Sequence, residues 1–184
     1  MKIALYLGSF DPFHNGHLNV IKQAFDNFKM DAVVIVPTIQ NPWKIKPLDI
    51  DKRIGIIHSA FYFDRKFYTL RGDYNRILYK NKIVVIDPIE KFLTPPFYSY
   101  ATLHALKNKY CYDDIYILCG EDTIKDISNW MNGEAILQDY NFLICDRSKD
   151  SVSSTLIKKL INNNEDISDY VNKHIVKLIN KYYK

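Results

Sequence analysis

The sequence predicts an α/β fold, a Rossmann-like doubly wound parallel sheet with helices on both faces, in a single domain spanning residues 1–184. Three observations support this. Short apolar runs rich in branched and aromatic residues alternate along the chain with segments of helical periodicity, the pattern of a parallel sheet covered on both sides. The 184 residues, 47% of them hydrophobic, are enough for one sizeable core and too few for two independent ones. No internal repeat and no Gly- or Ser-rich linker interrupts the pattern.

The strands are expected at residues 3–7, 32–36, 83–86, 115–119 and 142–145, each a short β-prone apolar run. Between the first two, Leu18, Ile21, Phe25 and Phe28 recur at steps of three and four, and Ile50, Ile54, Ile57 and Phe61 do the same after the second, so each segment is a helix with one buried stripe. Further helices are expected over residues 96–110, 123–130, 154–162 and 168–182, the last two with Ser residues placed to cap their starts. Residues 80–82 and 162–164 are Lys- and Asn-rich and are expected as solvated turns. The stretch 38–48 holds Pro42 and Pro47 just after Pro37, and irregular segments of that length are often functional.

Composition excludes several classes. The 25 Lys and Arg exceed the 21 Asp and Glu by four, an excess that suits phosphate-bearing ligands and falls short of a nucleic-acid-binding stripe. Cys111, Cys119 and Cys145 have neither CxxC spacing nor nearby His partners, so reduced thiols in a cytoplasmic protein are expected instead of a disulfide framework or a zinc site. Residues 1–8 contain one Lys and a short apolar run, but Asp11 follows at once, so no secretory signal is expected. No apolar run approaches the ~18 residues of a membrane span. Assembly into a homo-oligomer is left open by the sequence.

The chemistry is concentrated after the first strand, in Gly8-Ser9-Phe10-Asp11-Pro12-Phe13-His14-Asn15-Gly16-His17. A helix begins at about Gly16, so two His residues three apart stand where unpaired N–H groups and the positive end of the helix dipole attract anions, and each imidazole adds a donor. Gly8 and Gly16 let the backbone approach a ligand closely. Either His could also be an ordinary residue of a capped helix start. The ten-residue string resembles the GxFxPxHxGH motif of the HxGH nucleotidyltransferase superfamily. A second string, Ser153-Ser154-Thr155-Leu156-Ile157-Lys158, resembles the superfamily's ISSTxIR phosphate-binding motif at another helix start, with Lys158 where most relatives of the favoured subfamily carry Arg. That exchange turns a forked bidentate grip into a point charge. A dinucleotide-dependent hydride-transfer enzyme is disfavoured, because no GxGxxG follows the first strand.

The resemblance implies adenylyl transfer from ATP to a small phosphorylated acceptor: nicotinic acid mononucleotide, with nicotinamide mononucleotide and phosphopantetheine as alternatives. His14 tilts the choice toward pyridine nucleotides, since phosphopantetheine adenylyltransferases usually carry Thr there. Phe97-Tyr98-Ser99-Tyr100-Ala101-Thr102-Leu103 resembles the SYTxDTL stretch of bacterial nicotinate-nucleotide adenylyltransferases, from which Phe97 and Ala101 depart, and Gly120-Glu121-Asp122 with Trp130 resembles their G-x-D…W segment. By that resemblance Tyr98 and Ser99 sit at the pyridine ring and its carboxylate, and Trp130 stacks on the ring face, where dispersion and cation–π attraction both act. Asn41-Pro42-Trp43-Lys44 resembles the family's Pro-x-Lys element, with Trp43 as an apolar lid, and Arg53 matches a basic position that helps hold phosphate. The implied catalytic residues are His14, His17 and Lys44. ATP is implied to meet Gly8, Ser9, Phe10, Gly16, Gly120, Asp122, Ser154, Thr155 and Lys158, with Mg²⁺ carried mainly by substrate oxygens and water. A nucleotide-sensing module without catalysis is the non-enzyme alternative, and retention of His14, His17 and Lys44 argues against it.

Overall fold

The computed structural model describes residues 1–39, 47–61, 75–79, 81–111, 113–146 and 152–184. The first strand, β1 (Lys2–Gly8), leads through the His-containing string into α1 (Asn15–Asp26), followed by β2 (Ala32–Pro37) and α2 (Ile50–Phe61). A hairpin of β3 (Asn75–Tyr79) and β4 (Lys82–Ile86) precedes α3 (Ser99–Lys109), β5 (Asp114–Gly120), α4 (Glu121–Asp126), α5 (Gly133–Asp139) and β6 (Asn141–Cys145). The chain closes with α6 (Ser154–Asn162) and α7 (Val176–Tyr183). All five expected strands are present.

The six strands among the described residues form one sheet in the order β3-β4-β2-β1-β5-β6. Every pairing is parallel except β3 with β4, which is antiparallel. β3 was not expected: it is a short edge strand whose apolar content is Ile77-Leu78-Tyr79, too brief a run to read as a strand. Asn81, in the hairpin turn between Tyr79 and Lys82, has φ 63°, a conformation that Asn tolerates better than most residues.

Side chains alternate across the sheet, so β1 and β2 feed two cores. Ala4, Tyr6, Val33 and Ile35 join the buried stripes of α1, α2, α6 and α7 on one face. Ile3, Leu5, Ala32, Val34 and Val36 meet Leu103 and Leu106 of α3 and Ile136 of α5 on the other. Burying each Val, Leu or Ile among them contributes about 1.5–3 kcal/mol, which is why the central strands read as unbroken apolar runs.

Three helix expectations are corrected. The segment 168–182 is helical only in α7, because Asn172 breaks the run: its side-chain amide donates to the Ala60 carbonyl at 3.1 Å and its side-chain oxygen accepts from the His174 N–H at 3.1 Å. Ile167, Val171, Ile175 and Ile179 are all buried, so turns reproduce here the fourfold spacing of a helix face. The helix expected from residue 96 begins at Ser99, past Pro95 and Pro96. The helix expected at residue 123 begins at Glu121 and tightens into a 3-10 turn, Ile127–Asn129, and α5 follows it. No helix among the described residues is long and apolar enough to cross a membrane.

Candidate active site

Strand order fixes where a ligand can sit. From β1 the chain winds outward through β2 to the hairpin and then returns to place β5 on the other side of β1, so the winding reverses beside β1. The crevice outside the carboxyl ends of the strands at such a reversal is the natural ligand site of an open α/β sheet. The His-containing loop leaves β1 there, and Gly120 ends β5 next to it.

Within that loop the rings pack tightly. His17 stacks on His14 with centroids 3.6 Å apart and on Phe13 at 5.4 Å, and meets the edge of Phe10 at 5.0 Å. Phe10 is 1% exposed and adopts φ 47°, a left-handed backbone that a bulky residue holds only where its surroundings impose it. The β-carbon of any residue replacing Gly8 would stand 3.1 Å from the Phe10 ring, and one at Gly16 3.1 Å from the His14 imidazole and 3.2 Å from Val152. A side chain at either position would therefore require these neighbours to shift by a few tenths of an ångström.

The His14 backbone N–H donates to Nδ1 of His17 at 3.2 Å, within a mutual capping arrangement at the start of α1. A ring nitrogen that accepts carries no proton, so the His17 proton resides on Nε2 and that atom is the donor the ring presents. His14 is 2% exposed, whereas His17 is half-buried. The pair thus consists of a buried backing ring and a more accessible donor.

The second string docks directly on the first. Ser154 donates its hydroxyl to the Pro12 carbonyl at 2.9 Å, and the Ser153 side chain caps α6 by accepting from the Leu156 N–H at 3.1 Å. Thr155 is exposed at the same helix start. The loop that carries His14 and His17 and the Ser-Ser-Thr helix start are therefore in direct contact.

Lys158 has a partner within the chain. Its half-exposed ammonium pairs with Asp11 Oδ2 and lies 5.6 Å from the centroid of the Tyr183 ring, so it neutralises the loop's own carboxylate. The other oxygen of Asp11 accepts from the Tyr183 hydroxyl at 2.6 Å and from the Leu48 N–H at 3.1 Å. Burial pushes the Asp11 carboxyl upward, but the bonds from Lys158, Tyr183 and Leu48 outweigh it and hold the group below the usual Asp range. Burial and the adjacent Asp11 push the Tyr183 phenol in the opposite direction, well above its ordinary value.

Arg53 is corrected from phosphate ligand to internal clamp. It is 1% exposed, and its guanidinium donates to the carbonyls of Leu48 at 2.6 Å, Ser9 at 2.6 Å, Thr38 at 2.8 Å and Ile39 at 3.4 Å. Every nitrogen is committed to backbone at the ends of β1 and β2 and the entry to α2. A planar five-donor group meets such converging carbonyls better than an ammonium can.

Of the residues expected at the acceptor, Tyr98 is 38% exposed at the N-cap of α3, and half-buried Ser99 opens that helix. Trp130 is half-buried over the second core, with its indole N–H donating to Asp126 at 3.1 Å. Gly120 caps α4, and Asp122 is exposed in its first turn, where a carboxylate suits the helix dipole. Lys44 lies outside the described residues, with Pro42, Trp43 and Lys46. Among the described residues no three His, Cys, Asp or Glu side chains cluster as metal ligands would. A groove of about 260 Å³ lined by Asp113, Asp114, Tyr116 and Asn141 lies at the opposite, amino-terminal edge of β5 and β6.

Sequence reading passed over Asp11, Tyr183 and Asp126. Asp11 alone left a signal: a carboxylate inside a phosphate-binding string repels the ligand unless a cation neutralises it, so a basic partner was implied.

Comparison with known proteins gives the family. The family model described as cytidylyltransferase-like matches residues 5–168. The probable nicotinate-nucleotide adenylyltransferase of Fusobacterium nucleatum is 29% identical over all of this chain and 99% of its own length. That of Aliarcobacter butzleri is 31% identical over 80% of this chain and 72% of its own. Among solved structures, Plasmodium falciparum nicotinic acid mononucleotide adenylyltransferase complexed with NaAD superposes with a TM-score of 0.74 over 98% of this chain and 95% of that one, at 20% identity, a likeness of fold. The chain thus belongs to the cytidylyltransferase-like family and, within it, to the nicotinate-nucleotide adenylyltransferases.

Proposed function

We propose that this chain transfers the adenylyl group of ATP to nicotinic acid mononucleotide, releasing pyrophosphate and forming deamido-NAD. The observation that carries the reading is the docking of the Ser-Ser-Thr helix start onto the His-containing loop, through the 2.9 Å bond from Ser154 to the Pro12 carbonyl. It joins the two strings that resemble phosphate-binding motifs, beside the switch point of the sheet.

The reaction needs no protein nucleophile. A phosphate oxygen of the acceptor attacks the α-phosphorus of ATP in line, the bond from that phosphorus to the bridging oxygen breaks, and pyrophosphate departs with the electron pair. The protein's work is alignment, which contributes up to ~7–11 kcal/mol in favourable systems, and neutralisation of developing charge, a few more per donor. His17 donates its Nε2 proton toward the bridging and leaving oxygens, and buried His14 holds it through the stack and the backbone bond to Nδ1. Lys44 assists at the same phosphates. The backbone of Gly8, Ser9, Phe10 and Gly16 and the α6 start at Ser154 and Thr155 cradle the nucleotide, while Gly120 and Asp122 border it from β5. Lys158 acts through Asp11, keeping a negative charge from facing the phosphates. Mg²⁺ arrives on ATP as part of the substrate.

Tyr98, Ser99 and Trp130 receive the pyridine end of the acceptor. The free thiols of Cys111, Cys119 and Cys145 suit a cytoplasmic biosynthetic enzyme. The test is pyrophosphate release with nicotinic acid mononucleotide, nicotinamide mononucleotide and phosphopantetheine side by side, each with ATP and Mg²⁺. Highest kcat/KM with the first is expected; product from phosphopantetheine alone, or none from any acceptor, overturns the proposal.

A further inference from the structure

Glu90 lies in the 3-10 turn Ile89–Phe92 after β4 and is 1% exposed. A carboxylate that deep costs several kcal/mol in desolvation unless both oxygens are occupied, and an apolar residue of similar volume would serve packing alone at less cost. Both oxygens are occupied, by different parts of the molecule. Oε2 accepts from the Ile39 N–H at 2.6 Å, just past β2, and Oε1 accepts from the Thr102 hydroxyl at 2.8 Å, in the second turn of α3. Thr102 is 0% exposed, and its own N–H donates to the Tyr98 carbonyl at 3.1 Å. The Ile39 carbonyl accepts in turn from Arg53, whose guanidinium also grips the Ser9 carbonyl. A continuous chain of hydrogen bonds, buried at Glu90 and Thr102 and part-buried elsewhere, thus runs from the nucleotide-side loop to the helix start that carries Tyr98 and Ser99.

We propose that Glu90 is a positioning residue for the acceptor. Through Thr102 it sets the first turn of α3 at a fixed distance from the ends of β1 and β2, and so aligns the acceptor with the adenylyl group. The proposal rests on the functional reading above, which places Tyr98 and Ser99 at the acceptor. The two oxygens divide the effect: Oε1 bears on the acceptor side through Thr102, while Oε2 meets the Ile39 N–H on the nucleotide side, where Arg53 also grips the Ser9 and Thr38 carbonyls through bonds of its own.

The test is steady-state kinetics with ATP, Mg²⁺ and nicotinic acid mononucleotide, varying each substrate in turn. Thr102→Val keeps the volume, removes the hydroxyl and leaves one oxygen of a buried carboxylate short of a partner, so the acceptor KM should rise roughly tenfold, with the KM for ATP within about twofold of wild type. Thr102→Ser restores the hydroxyl and should return the acceptor KM to within about twofold of wild type. Glu90→Gln keeps the shape but forces one hydrogen bond to reverse, and should raise the acceptor KM alone by about threefold, which carries the test should Thr102→Val fail to fold. The double variant should be no worse than Thr102→Val, since both cut one link. Parallel rises in both KM values, unchanged values, a Ser variant that behaves like the Val variant, or multiplying effects in the double variant would overturn the role of Glu90. Wild-type protein that makes no dinucleotide from nicotinic acid mononucleotide would instead overturn the functional reading itself.

Discussion

Replacing His17 by Ala separates the chemistry of one ring nitrogen from the structural work of the other. The substitution removes the Nε2 donor, and loss of a donor aimed at developing charge costs about 2.7–4 kcal/mol in the barrier, a 10²–10³-fold fall in turnover. It also removes the acceptor of the His14 N–H and a ring packed against Phe10, Phe13 and His14. A lost cap costs about 1 kcal/mol and each ring contact about 0.5–1.5 kcal/mol, so stability should fall by roughly 3 kcal/mol. In a chain of this size that is a drop in Tm of about 6–12 °C. His17→Asn and His17→Gln resolve the two losses. Asn places an acceptor near the position of Nδ1 and nothing at Nε2, so calorimetry should show much of the Tm restored while pyrophosphate release at saturating substrates stays roughly 10²-fold down. Gln reaches toward Nε2 and should recover part of the turnover with little of the Tm. Turnover of His17→Asn within about tenfold of wild type would refute the assignment of the Nε2 proton to the leaving oxygens.

Trp130→Ala should raise the KM for nicotinic acid mononucleotide by about tenfold and leave that for ATP nearly unchanged, as expected for a stacking partner worth ~1–2 kcal/mol; equal rises in both would make the indole a core anchor only. Asp11→Asn should destabilise the protein at neutral pH. The Asp11 carboxyl is held below its unfolded value, so its contribution is present above about pH 4 and is lost as pH falls through the folded value; urea unfolding of variant and wild type should converge in acid, and a constant gap would exclude the charge as the cause. Gly133→Ala would bring its β-carbon to 1.9 Å from the Ile127 carbonyl oxygen, so the turn after Trp130 must open; a Tm loss of several degrees, from about 1–3 kcal/mol of overpacking, is expected by thermal melt, and an unchanged Tm would contradict the packing described.

Periodicity and local chemistry carry information about a residue's own neighbourhood, and there the sequence is explicit. The five core strands, the stripes of α1 and α2, the Ser-capped start of α6 and the anion-seeking string after β1 all follow from alternation, threefold and fourfold spacing and capping, which act over a few residues. The same locality explains the misreading of 168–182: buried Ile and Val at fourfold spacing arise from turns as readily as from a helix, and only Asn172 reaching the Ala60 carbonyl decides between them. β3 depends on its partner β4, not on its own short run. For charged residues the limit is sharper, since a Lys or Arg declares its charge but not which distant oxygen it meets. Nothing near Lys158 in the sequence marks Asp11, 147 residues away, as its partner, and nothing near Arg53 marks the four carbonyls that the ends of β1 and β2 and the entry to α2 present to it. Glu90 stands in no recognisable pattern, because its meaning lies in two hydrogen bonds to segments 51 and 12 residues distant. The sequence determined by itself the five parallel strands and the helices around them, and it singled out the two strings at helix starts. Tertiary structure decided which groups Asp11, Arg53, Glu90 and Lys158 meet, because partnership between charged groups is settled by three-dimensional proximity and desolvation, neither of which is written along the chain.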